Sequence, residues 1–416
     1  MSRTLAVLNI GQLVTMAGPA RARVGRELSE IGLITDAAML IEDGRVAAVG
    51  TYSELRPQIP PVSEVVDAGG CCVTPGFVDA HTHLVFAGNR AAEFEQRIAG
   101  ASYQQIAASG GGIQRTVQLT RRASEDELLD IARRHRYWML RTGTTTLEAK
   151  SGYGLDRETE LRILRVLARL NEEGPGTIVP TLLAAHTVPS EFAGRREQFV
   201  RWVAEDLIPE VAAARLARYC DAFCDEHAFS VEETRAVLIA AQNHGMMLRI
   251  HADQFRPDTG AALAASLGAI TADHLEAVTA AELTRLRAGR VQPVLLPGSV
   301  FALGRTAYPP ARAMIEQELA IVLATDFNPG TSPITSMPFI LSLACLQMEL
   351  SPAEALSAAT INAACSLDLG SRVGSLETGK QADFLIHEFK DYRELAYYIA
   401  APACPRVFIA GEEETP

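Results

Sequence analysis

The chain has 416 residues, of which 48% are hydrophobic and 21% charged, and its formal net charge is −12. This length is ample for a large core and suggests more than one unit of ordinary domain size. The acidic balance disfavours phosphate backbones and anionic lipid surfaces, so we expect neither a nucleic-acid partner nor a membrane partner.

The cysteine pattern indicates a reducing compartment. The chain has seven cysteines, an odd number, and they form neither a CxxC pair nor the framework of a short secreted domain. We therefore predict reduced thiols and a cytoplasmic location. The apolar segment 5–14 is interrupted by Asn9 and Gln12, which favours a strand over a signal peptide. No uninterrupted apolar run approaches the roughly 20 residues of a membrane span.

Both ends of the chain carry short apolar runs separated by turn signals, which predict strands. These predicted strands are residues 5–10, 38–41, 46–49, 374–376, 383–386 and 407–409. The dipeptide Asp43-Gly44 predicts a hairpin between the second and the third of them. Because neither residues 1–72 nor residues 374–416 can bury a sizeable core alone, we expect both to join in one small β-sandwich domain.

Between the two ends, helical stretches alternate with brief apolar runs. The clearest helical stretches are residues 125–140, 158–170, 195–216 (interrupted at Pro209) and 231–244. The apolar runs are residues 72–79, 142–148, 177–186, 220–225, 247–251, 269–273, 292–295 and 321–326. Eight such runs, each followed by a helical stretch, predict a (β/α)8 barrel over residues 73–373. A doubly wound open sheet is the alternative, but no G-x-G-x-x-G turn opens a helix to support it.

The sharpest motif is the run PGFVDAHTH at residues 75–83, at the end of the first predicted barrel strand. Successive side chains of a strand alternate between its faces, so His81 and His83 point the same way. Two neutral imidazoles at a barrel mouth suit Zn²⁺ or Fe. A solvated surface pair of histidines is the alternative interpretation of this motif alone.

Other predicted strands also finish in polar side chains, namely Glu148, His186, Asp225, His251, His274 and Asp326. In a barrel the carboxyl ends of all strands converge on one mouth, so these groups predict a polar site there. His135 and His244 lie in helical stretches and His387 near the C-terminal strands, so we expect them to be structural or exposed. His227 follows the fourth strand and ranks below the strand-end groups as a site residue.

These residues resemble the amidohydrolase superfamily of metal-dependent hydrolases. One branch of it is similar along nearly the whole chain, and eight segments carry the resemblance: DAHTHLVFAGNR (79–90), GGGI (110–113), GTTTLEAKSGYGL (143–155), AHTVP (185–189), HADQF (251–255), TADHL (271–275), LLPGS (295–299) and ATDFNPGTS (324–332). The H-x-H pair marks only the superfamily. The KSGYGL and ATDFNPGTS segments, with Arg90, are much more specific.

The resemblance implies one catalytic metal ion, held by His81, His83, His251 and Asp326. Superfamily members with two metals commonly bridge them through a carboxylated lysine at the fourth strand. This chain has no lysine there, since Lys150 follows the second strand, so a single ion is favoured. The donor set suits both Zn and Fe, and the sequence leaves that choice open.

The resemblance also implies catalytic roles for three residues. Asp326 both touches the metal and accepts the proton of the attacking water. His274 polarises the substrate carbonyl and stabilises the oxyanion, or alternatively only orients Asp326. Gln254 stands where many family members have glutamate, which leaves the charge at this position open.

The reaction implied is the opening of the ring amide of 4-imidazolone-5-propanoate to N-formimidoyl-L-glutamate, in histidine degradation. Arg90, on the first loop, is expected to grip the propionate with its planar fork; a surface arginine is the alternative. Further substrate contacts are implied for Tyr153, His186, Gln254, Asn328, Gly330 and Thr331. Glu148 is expected to make structural contacts behind the site, and Gly110–Gly112 to hinge a lid or simply to form a loop.

Two other functions compete with this one. The first is that of another cyclic amidohydrolase or a nucleobase deaminase, which would share the metal cradle but usually lack the paired Arg90 and Tyr153. The second is that of a non-catalytic relative, although such relatives typically lose metal ligands and every expected ligand type is present here. The expected partners are a small-molecule substrate and, as is typical of the family, a second copy in a homodimer.

Overall fold

The computed structural model describes residues 3–100, 111–226, 228–257, 260–401 and 405–414. Gly110, His227 and Cys404 therefore lie outside the described residues. The six cysteines within the described part of the chain are free thiols. In that same part, no helix combines the length and the apolar character that crossing a membrane requires.

In the part of the chain that the structure describes, the strands fall into two sheets of eight strands each. In chain order they are β1 (Thr4–Val14), β2 (Leu33–Glu42), β3 (Arg45–Thr51), β4 (Glu64–Asp67), β5 (Cys72–Pro75), β6 (Phe77–Asp79), β7 (Thr144–Lys150), β8 (Thr177–Ala185), β9 (Tyr219–Cys224), β10 (Met247–Ala252), β11 (Thr271–His274), β12 (Gln292–Leu295), β13 (Val322–Leu323), β14 (Phe384–Ile386), β15 (Arg406–Ile409) and β16 (Glu412–Glu414). Strands β6 to β13 form one sheet, and the strands from the two chain ends form the other.

The barrel sheet is parallel, and each of its strands pairs with the next one along the chain. All eight strands lie within or overlap the eight apolar runs predicted for them. Parallel strands need long crossover connections, and helices supply them here. The predicted (β/α)8 barrel is confirmed.

The helices cover the outside of the barrel and its loops. Within the described residues, the α-helices are Tyr52–Leu55, Ala91–Ile98, Ile113–Arg122, Glu125–Leu140, Arg157–Glu173, Arg196–Trp202, Ile208–Ala213, Val231–Asn243, Ala261–Leu267, Ala280–Gly289, Pro297–Ala302, Ala311–Glu316, Met337–Met348, Pro352–Ala358, Ile361–Ser366 and Glu394–Tyr397. Side chains of Ser124, Asp156 and Ser230 cap three of the crossover helices by accepting a hydrogen bond from a first-turn N–H. The predicted helix 195–216 is interrupted as expected: a π-helical turn, Val203–Leu207, precedes the segment that contains Pro209.

The chain-end sheet has the order β16-β15-β14-β5-β1-β2-β3, with β4 paired to β1. It therefore joins the first 75 residues to the last strands of the chain, as predicted. The rings of Phe384 and Phe408 stack in its core, with centroids 4.3 Å apart. The hairpin at Asp43-Gly44 also forms, since both residues have the positive φ that such a turn requires.

The first predicted run, 72–79, is in fact two strands in different sheets. Strand β5 crosses the expected boundary at residue 72 and pairs with β1 and β14, whereas β6 opens the barrel. Gly76 separates them, and a Cβ atom at this position would lie 2.5 Å from Cγ2 of Thr145. Only glycine fits at this close crossing between the two sheets.

Three details of the chain-end prediction are wrong or incomplete. Residues 374–376 form no strand: Gly374 has a φ of 85°, and Leu376 contributes a single main-chain hydrogen bond to Thr15. Strands β4 and β16 were not predicted, because their acidic, exposed sequences lack the apolar pattern of a buried strand.

Candidate active site

Main-chain hydrogen bonds at the rim of the barrel join its first and last strands. The N–H of Asp326 donates to the carbonyl of His81 at 3.0 Å, and the N–H of His83 donates to the carbonyl of Phe327 at 2.8 Å. Strand β6 ends at Asp79, where the predicted run also ended, so the two histidines follow the strand. Barrel closure therefore holds the H-x-H segment directly against the segment that carries Asp326.

Five buried side chains converge at this point of the barrel mouth. His81, His83 and Asp326 form one triplet whose potential ligand atoms all lie within 4.8 Å of one another, and His81, His251 and His274 form a second. Nε2 of His83 lies 3.4 Å from Oδ1 of Asp326, and Nε2 of His81 lies 3.6 Å from it. The structure thus brings together all four predicted metal ligands, with His274 beside them.

The cluster fits a metal ion. Among the described residues, Nε2 of His81 and Nε2 of His251 are buried without a hydrogen-bond partner. Buried polar atoms nearly always have a hydrogen-bond partner or a metal partner. A neutral imidazole nitrogen can donate its lone pair to a metal ion. Burial lowers the pKa of His81 and of His83, which keeps both rings in the neutral form. Three histidines and one aspartate are donors for Zn²⁺ or Fe.

The pKa values of Asp326 and His274, which lie beside these rings, are shifted in opposite directions. Burial alone would raise the pKa of Asp326, but its contacts with His83 and His274 lower it, so the carboxylate is ionised. Burial alone would lower the pKa of His274, but Glu276 raises it. Oε1 of Glu276 lies 3.4 Å from Nδ1 of His274. These shifts favour an ionised carboxylate at 326 and a protonated imidazole at 274, and Glu276 is a contributor that the sequence did not indicate.

Two buried carboxylates that the sequence did not single out hold two of the histidines. Nδ1 of His81 donates to Oδ2 of Asp273 at 2.6 Å, and Nδ1 of His251 donates to Oδ1 of Asp221 at 3.1 Å. A hydrogen bond at Nδ1 fixes the tautomer and leaves the lone pair on Nε2 for a metal. The available sequence signal was that both aspartates lie within predicted barrel strands, where a carboxylate needs a buried partner.

A group of fully buried charges lies behind these carboxylates. Nζ of Lys150 lies 2.7 Å from Oδ2 of Asp221 and 3.7 Å from Oδ2 of Asp273, and it donates to Oε1 of Glu148 at 2.9 Å. Arg249 lies 3.6 Å from Asp273. Glu148 makes structural contacts, as expected. Lys150 is the last residue of β7 and lies inside the barrel, whereas the sequence placed it after the strand.

A cavity of about 440 Å³ opens beside the cluster. Every predicted site residue lines it except His81, which is fully buried, and Gly330. The predicted residues in its wall are His83, Arg90, Tyr153, His186, His251, Gln254, His274, Asp326, Asn328 and Thr331. This size suits a small heterocycle with a short side chain.

Arg90 and the loop 328–331 form one end of this cavity. Nε of Arg90 donates to Oγ1 of Thr116 at 3.0 Å, which fixes the guanidinium. The N–H groups of Gly330 and Thr331 donate to Oδ1 of Asn328 at 2.8 Å and 2.7 Å. These two N–H groups therefore fold the loop around Asn328. Gly330 is not part of the cavity wall, but a Cβ atom built on it would lie 2.8 Å from Cζ of Arg90.

Tyr153 lies on a turn that a buried carboxylate holds in place, and His186, which follows β8, contacts this turn. Glu160 accepts hydrogen bonds from the N–H groups of Gly152 and Gly154 at 3.1 Å and 2.8 Å. Nδ1 of His186 donates to the carbonyl of Gly152 at 3.0 Å. Burial lowers the pKa of His186 and raises that of Tyr153, so both are neutral. His186 thus keeps Nε2 as an acceptor, and Tyr153 keeps its hydroxyl proton.

Gln254 follows β10 and is fixed through its main chain. Oδ2 of Asp225 accepts hydrogen bonds from the N–H groups of Gln254 and Phe255 at 2.9 Å and 3.0 Å. Asp225, a predicted strand-end group, therefore shapes this loop. The side chain of Gln254 lines the cavity.

The remaining predicted groups lie away from the cluster. His135 is buried against the carbonyl of Leu84, His387 is buried in the chain-end sheet region, and His244 is exposed, as expected for structural or surface histidines. Gly112 has a φ of 75° and begins the helix Ile113–Arg122. Gly110 of the predicted hinge lies outside the described residues.

Comparisons with known proteins agree with this fold. Residues 72–412 match the model of the amidohydrolase family, and residues 37–58 match that of an imidazolonepropionase-like composite domain from bacteria. In fold, the chain is similar to E. coli guanine deaminase (TM-score 0.70, 17% identity, covering 100% of this chain and 99% of that one). It is also similar to 5-methylcytosine deaminase from Klebsiella pneumoniae (TM-score 0.72, 14% identity, covering 97% and 96%).

Barrel, histidine–aspartate cluster and family match define the class: the chain belongs to the amidohydrolase family. Two relatives indicate which branch of this family the chain belongs to. The imidazolonepropionase of Solibacter usitatus is 54% identical over 98% of this chain and 97% of its own length. That of a Geobacillus species is 43% identical over 95% and 94%. Within the amidohydrolases, the chain is therefore a member of the imidazolonepropionase family.

Proposed function

We propose that the chain hydrolyses the ring amide of 4-imidazolone-5-propanoate to N-formimidoyl-L-glutamate. One observation carries the proposal: His83, His251 and Asp326 of the cluster line the same cavity of about 440 Å³ as Arg90. A metal-dependent hydrolytic centre and a fixed carboxylate receptor thus serve one small ligand. That combination matches a cyclic amide that carries a propionate.

One metal ion, Zn or Fe, would be held by His81, His83, His251 and Asp326. When bound, such an ion acts as a Lewis acid and makes water a nucleophile near neutral pH. His274 is assigned a different role, since Glu276 engages its Nδ1 and favours its protonated form. A protonated imidazole is a hydrogen-bond donor and does not ligate a metal.

Asp326 acts as the general base. Its ionised carboxylate accepts a proton from the attacking water as the water oxygen bonds to the ring carbonyl carbon. His274 donates a hydrogen bond to the carbonyl oxygen, where negative charge develops. When the carbon–nitrogen bond breaks, Asp326 returns the proton to the leaving ring nitrogen. Water is thereby added across one bond, and the ring opens.

The rest of the cavity orients the substrate. Arg90, held by Thr116, pairs with the propionate through its two Nη groups. His186 accepts a hydrogen bond from a ring N–H at Nε2, and Tyr153 donates its hydroxyl. Gln254 both donates and accepts, so it matches a ring that carries N–H and C=O together. The loop at Asn328 and Thr331 completes the wall at the propionate end.

The substrate test follows the imidazolone chromophore. Purified protein should remove the absorbance of 4-imidazolone-5-propanoate and should release no ammonia from guanine or cytosine. Ammonia release from a base, with the imidazolone unchanged, would favour the deaminase alternative. Elemental analysis of protein purified without added metal would decide between Zn and Fe.

We further propose that the chain works as a homodimer in the cytoplasm. Its cysteine usage supports the compartment. The exposed side chains of Leu346, Tyr397 and Ile399 provide apolar surface for a contact between copies. Sedimentation at equilibrium should give twice the mass of one chain, and a monomer would contradict the dimer.

A further inference from the structure

Lys150 contacts three of the buried carboxylates behind the metal cluster. Its side chain is fully buried at the end of β7, and Nζ lies 2.9 Å, 2.7 Å and 3.7 Å from oxygens of Glu148, Asp221 and Asp273. Burial alone would lower the pKa of Lys150, but these carboxylates raise it, so the ammonium stays charged. Arg249, the neighbouring cation, lies 3.6 Å from Asp273.

Two of these carboxylates connect Lys150 to predicted metal ligands. Asp273 accepts a hydrogen bond from Nδ1 of His81, and Asp221 accepts one from Nδ1 of His251. The two imidazole rings are neighbours, with centroids 4.5 Å apart. The ammonium group of Lys150 therefore contacts two carboxylates. Each of them binds a histidine ring whose Nε2 faces the same cluster.

The backbone of the same strand fixes the H-x-H segment. The N–H of Lys150 donates to the carbonyl of Thr82 at 2.9 Å, and Oγ1 of Thr82 donates to the carbonyl of Glu148 at 2.7 Å. Thr82 lies between His81 and His83. The end of β7 thus holds the H-x-H segment through two main-chain groups, the N–H of Lys150 and the carbonyl of Glu148.

Buried charges of this kind are a poor source of stability. Taking several ions out of water is costly, and an apolar replacement of a buried ion pair is often neutral or stabilising. The barrel could have been filled here by aliphatic side chains, as the interiors of such barrels usually are. The geometry instead serves the ligands above it.

We propose that Lys150 is a positioning residue for the metal centre. Its ammonium group fixes Asp221 and Asp273, which hold His251 and His81 in the tautomer and orientation that bind the metal. This inference rests on the metal site of the proposed function and adds to it a residue that touches neither metal nor substrate.

The test measures metal affinity, with catalysis as a second readout. Metal-free wild type and Lys150→Met would be titrated with Zn²⁺ against a chromophoric chelator, and the visible spectrum of each Co²⁺-loaded protein would be recorded. We expect Lys150→Met to bind Zn²⁺ about 10- to 100-fold more weakly, with an altered Co²⁺ spectrum, as removal of supporting partners usually does. A folded Lys150→Met with the wild-type Kd and spectrum would overturn the proposal.

A second pair of variants separates positioning from stability. Arg23→Met removes another buried cation, one that contacts main-chain carbonyls of Met16 and Ala17. It should lower the melting temperature and leave the Zn²⁺ Kd unchanged. Lys150→Arg keeps the charge, but its wider head cannot occupy the same place among three carboxylates, so its Kd should be intermediate. Wild-type affinity and spectrum in Lys150→Arg would also overturn the proposal. This variant therefore keeps the test decisive if Lys150→Met does not fold.

A double-variant cycle tests the route through Asp273. If Lys150 acts through that carboxylate, the double variant Lys150→Met/Asp273→Asn should bind Zn²⁺ little more weakly than whichever single variant binds it less tightly. Fully additive losses would contradict the route. The metal site itself is tested separately. Loss of Zn²⁺ in His251→Ala supports the ligand set whatever the result for Lys150→Met. The positioning role of Lys150 can therefore fail while the metal site of the proposed function stands.

Discussion

Gly330 leaves the space that the guanidinium of Arg90 occupies. A Cβ atom built at residue 330 would lie 2.8 Å from Cζ of Arg90 and would overlap its Nη1. The N–H of Gly330 is already directed at Asn328, so this glycine supports Arg90 through the room it leaves. The position of the proposed carboxylate receptor therefore depends on a residue without a side chain.

Replacement of Gly330 by alanine should displace Arg90 and weaken substrate binding. We expect kcat/KM for the imidazolone substrate to fall about 10- to 100-fold, since small misplacements of positioning groups have effects of this size. Metal content should stay unchanged. The matched control is Gly330→Ala combined with Arg90→Ala, which should be no worse than Arg90→Ala alone, because no guanidinium is left to displace. A further large loss in that double variant would contradict the argument.

Removal of a proposed ligand should remove the metal. His251→Ala removes a buried Nε2 atom that has no hydrogen-bond partner and is a proposed metal ligand. We therefore expect sub-stoichiometric metal after dialysis and a parallel loss of activity. His387→Asn is the matched control, because His387 is also a buried histidine but lies near the chain-end sheet. Elemental analysis of both proteins checks the expectation; full metal content in His251→Ala would exclude this histidine as a ligand.

Asp326→Asn should separate proton transfer from metal binding. An amide oxygen still coordinates, but it cannot take a proton from water, so kcat should fall about 10²- to 10⁴-fold. Metal content should fall much less than in His251→Ala. Turnover and metal content measured on the same preparation check this, and near-normal turnover would mean that another group is the base.

The elements that the sequence predicts best are those with a continuous apolar run. Each barrel strand is such a run, and strand ends converge in a barrel, so His83, His251 and Asp326 could be placed at one mouth before the structure was known. The split at Gly76 could not be predicted, because β5 and β6 are equally apolar and differ only in the sheet that they join.

The histidine partners of the supporting carboxylates could not be predicted, for a related reason. Asp273 contacts His81 across 192 residues of chain, and Asp221 contacts His251 across 30. Such pairs depend on the register between neighbouring barrel strands, which a single sequence does not contain. Lys150 illustrates the same limit: its position in the chain indicated a loop, and only the pairing of β7 with β8 places it inside the barrel.

The stability of the protein should carry a pH dependence from His387. Burial lowers the pKa of His387 to about 3, although Nε2 lies 2.9 Å from Oγ1 of Thr74. An unfolded histidine binds a proton below about pH 6.5, whereas the folded one stays neutral down to about pH 3. The stabilisation is therefore present above pH 6.5 and is lost progressively as the pH falls through this window.

His387→Asn should flatten this slope by up to about 1.4 kcal/mol per pH unit. Urea unfolding at pH 6.5 and at pH 5.0 measures it, and the free energy of unfolding of the variant should fall less between the two. The exposed His244 supplies the control, and His244→Asn should follow the wild type. Parallel slopes for wild type and His387→Asn would show that this histidine is not the source.

Arg90 offers the sharpest test of substrate identity. It is proposed to bind the propionate, a group remote from the bond that breaks, so its removal should mainly weaken substrate binding. Removal of a charge-assisted bidentate ion pair from a desolvated pocket lowers kcat/KM roughly 30- to 1000-fold. Arg90→Lys should recover only part of this, since a point charge does not reproduce the fork. Metal content should be normal in both variants.

The decisive comparison uses an imidazolone that lacks the propionate. Wild type should hydrolyse it poorly, and Arg90→Ala should hydrolyse it about equally poorly, because neither protein can form the ion pair with it. The full substrate should separate the two proteins by the factor given above. If Arg90→Ala instead lost as much activity on the truncated imidazolone as on the full one, Arg90 would act on something other than the carboxylate. Cyclic amides without a carboxylate would then become equally good candidates for the substrate.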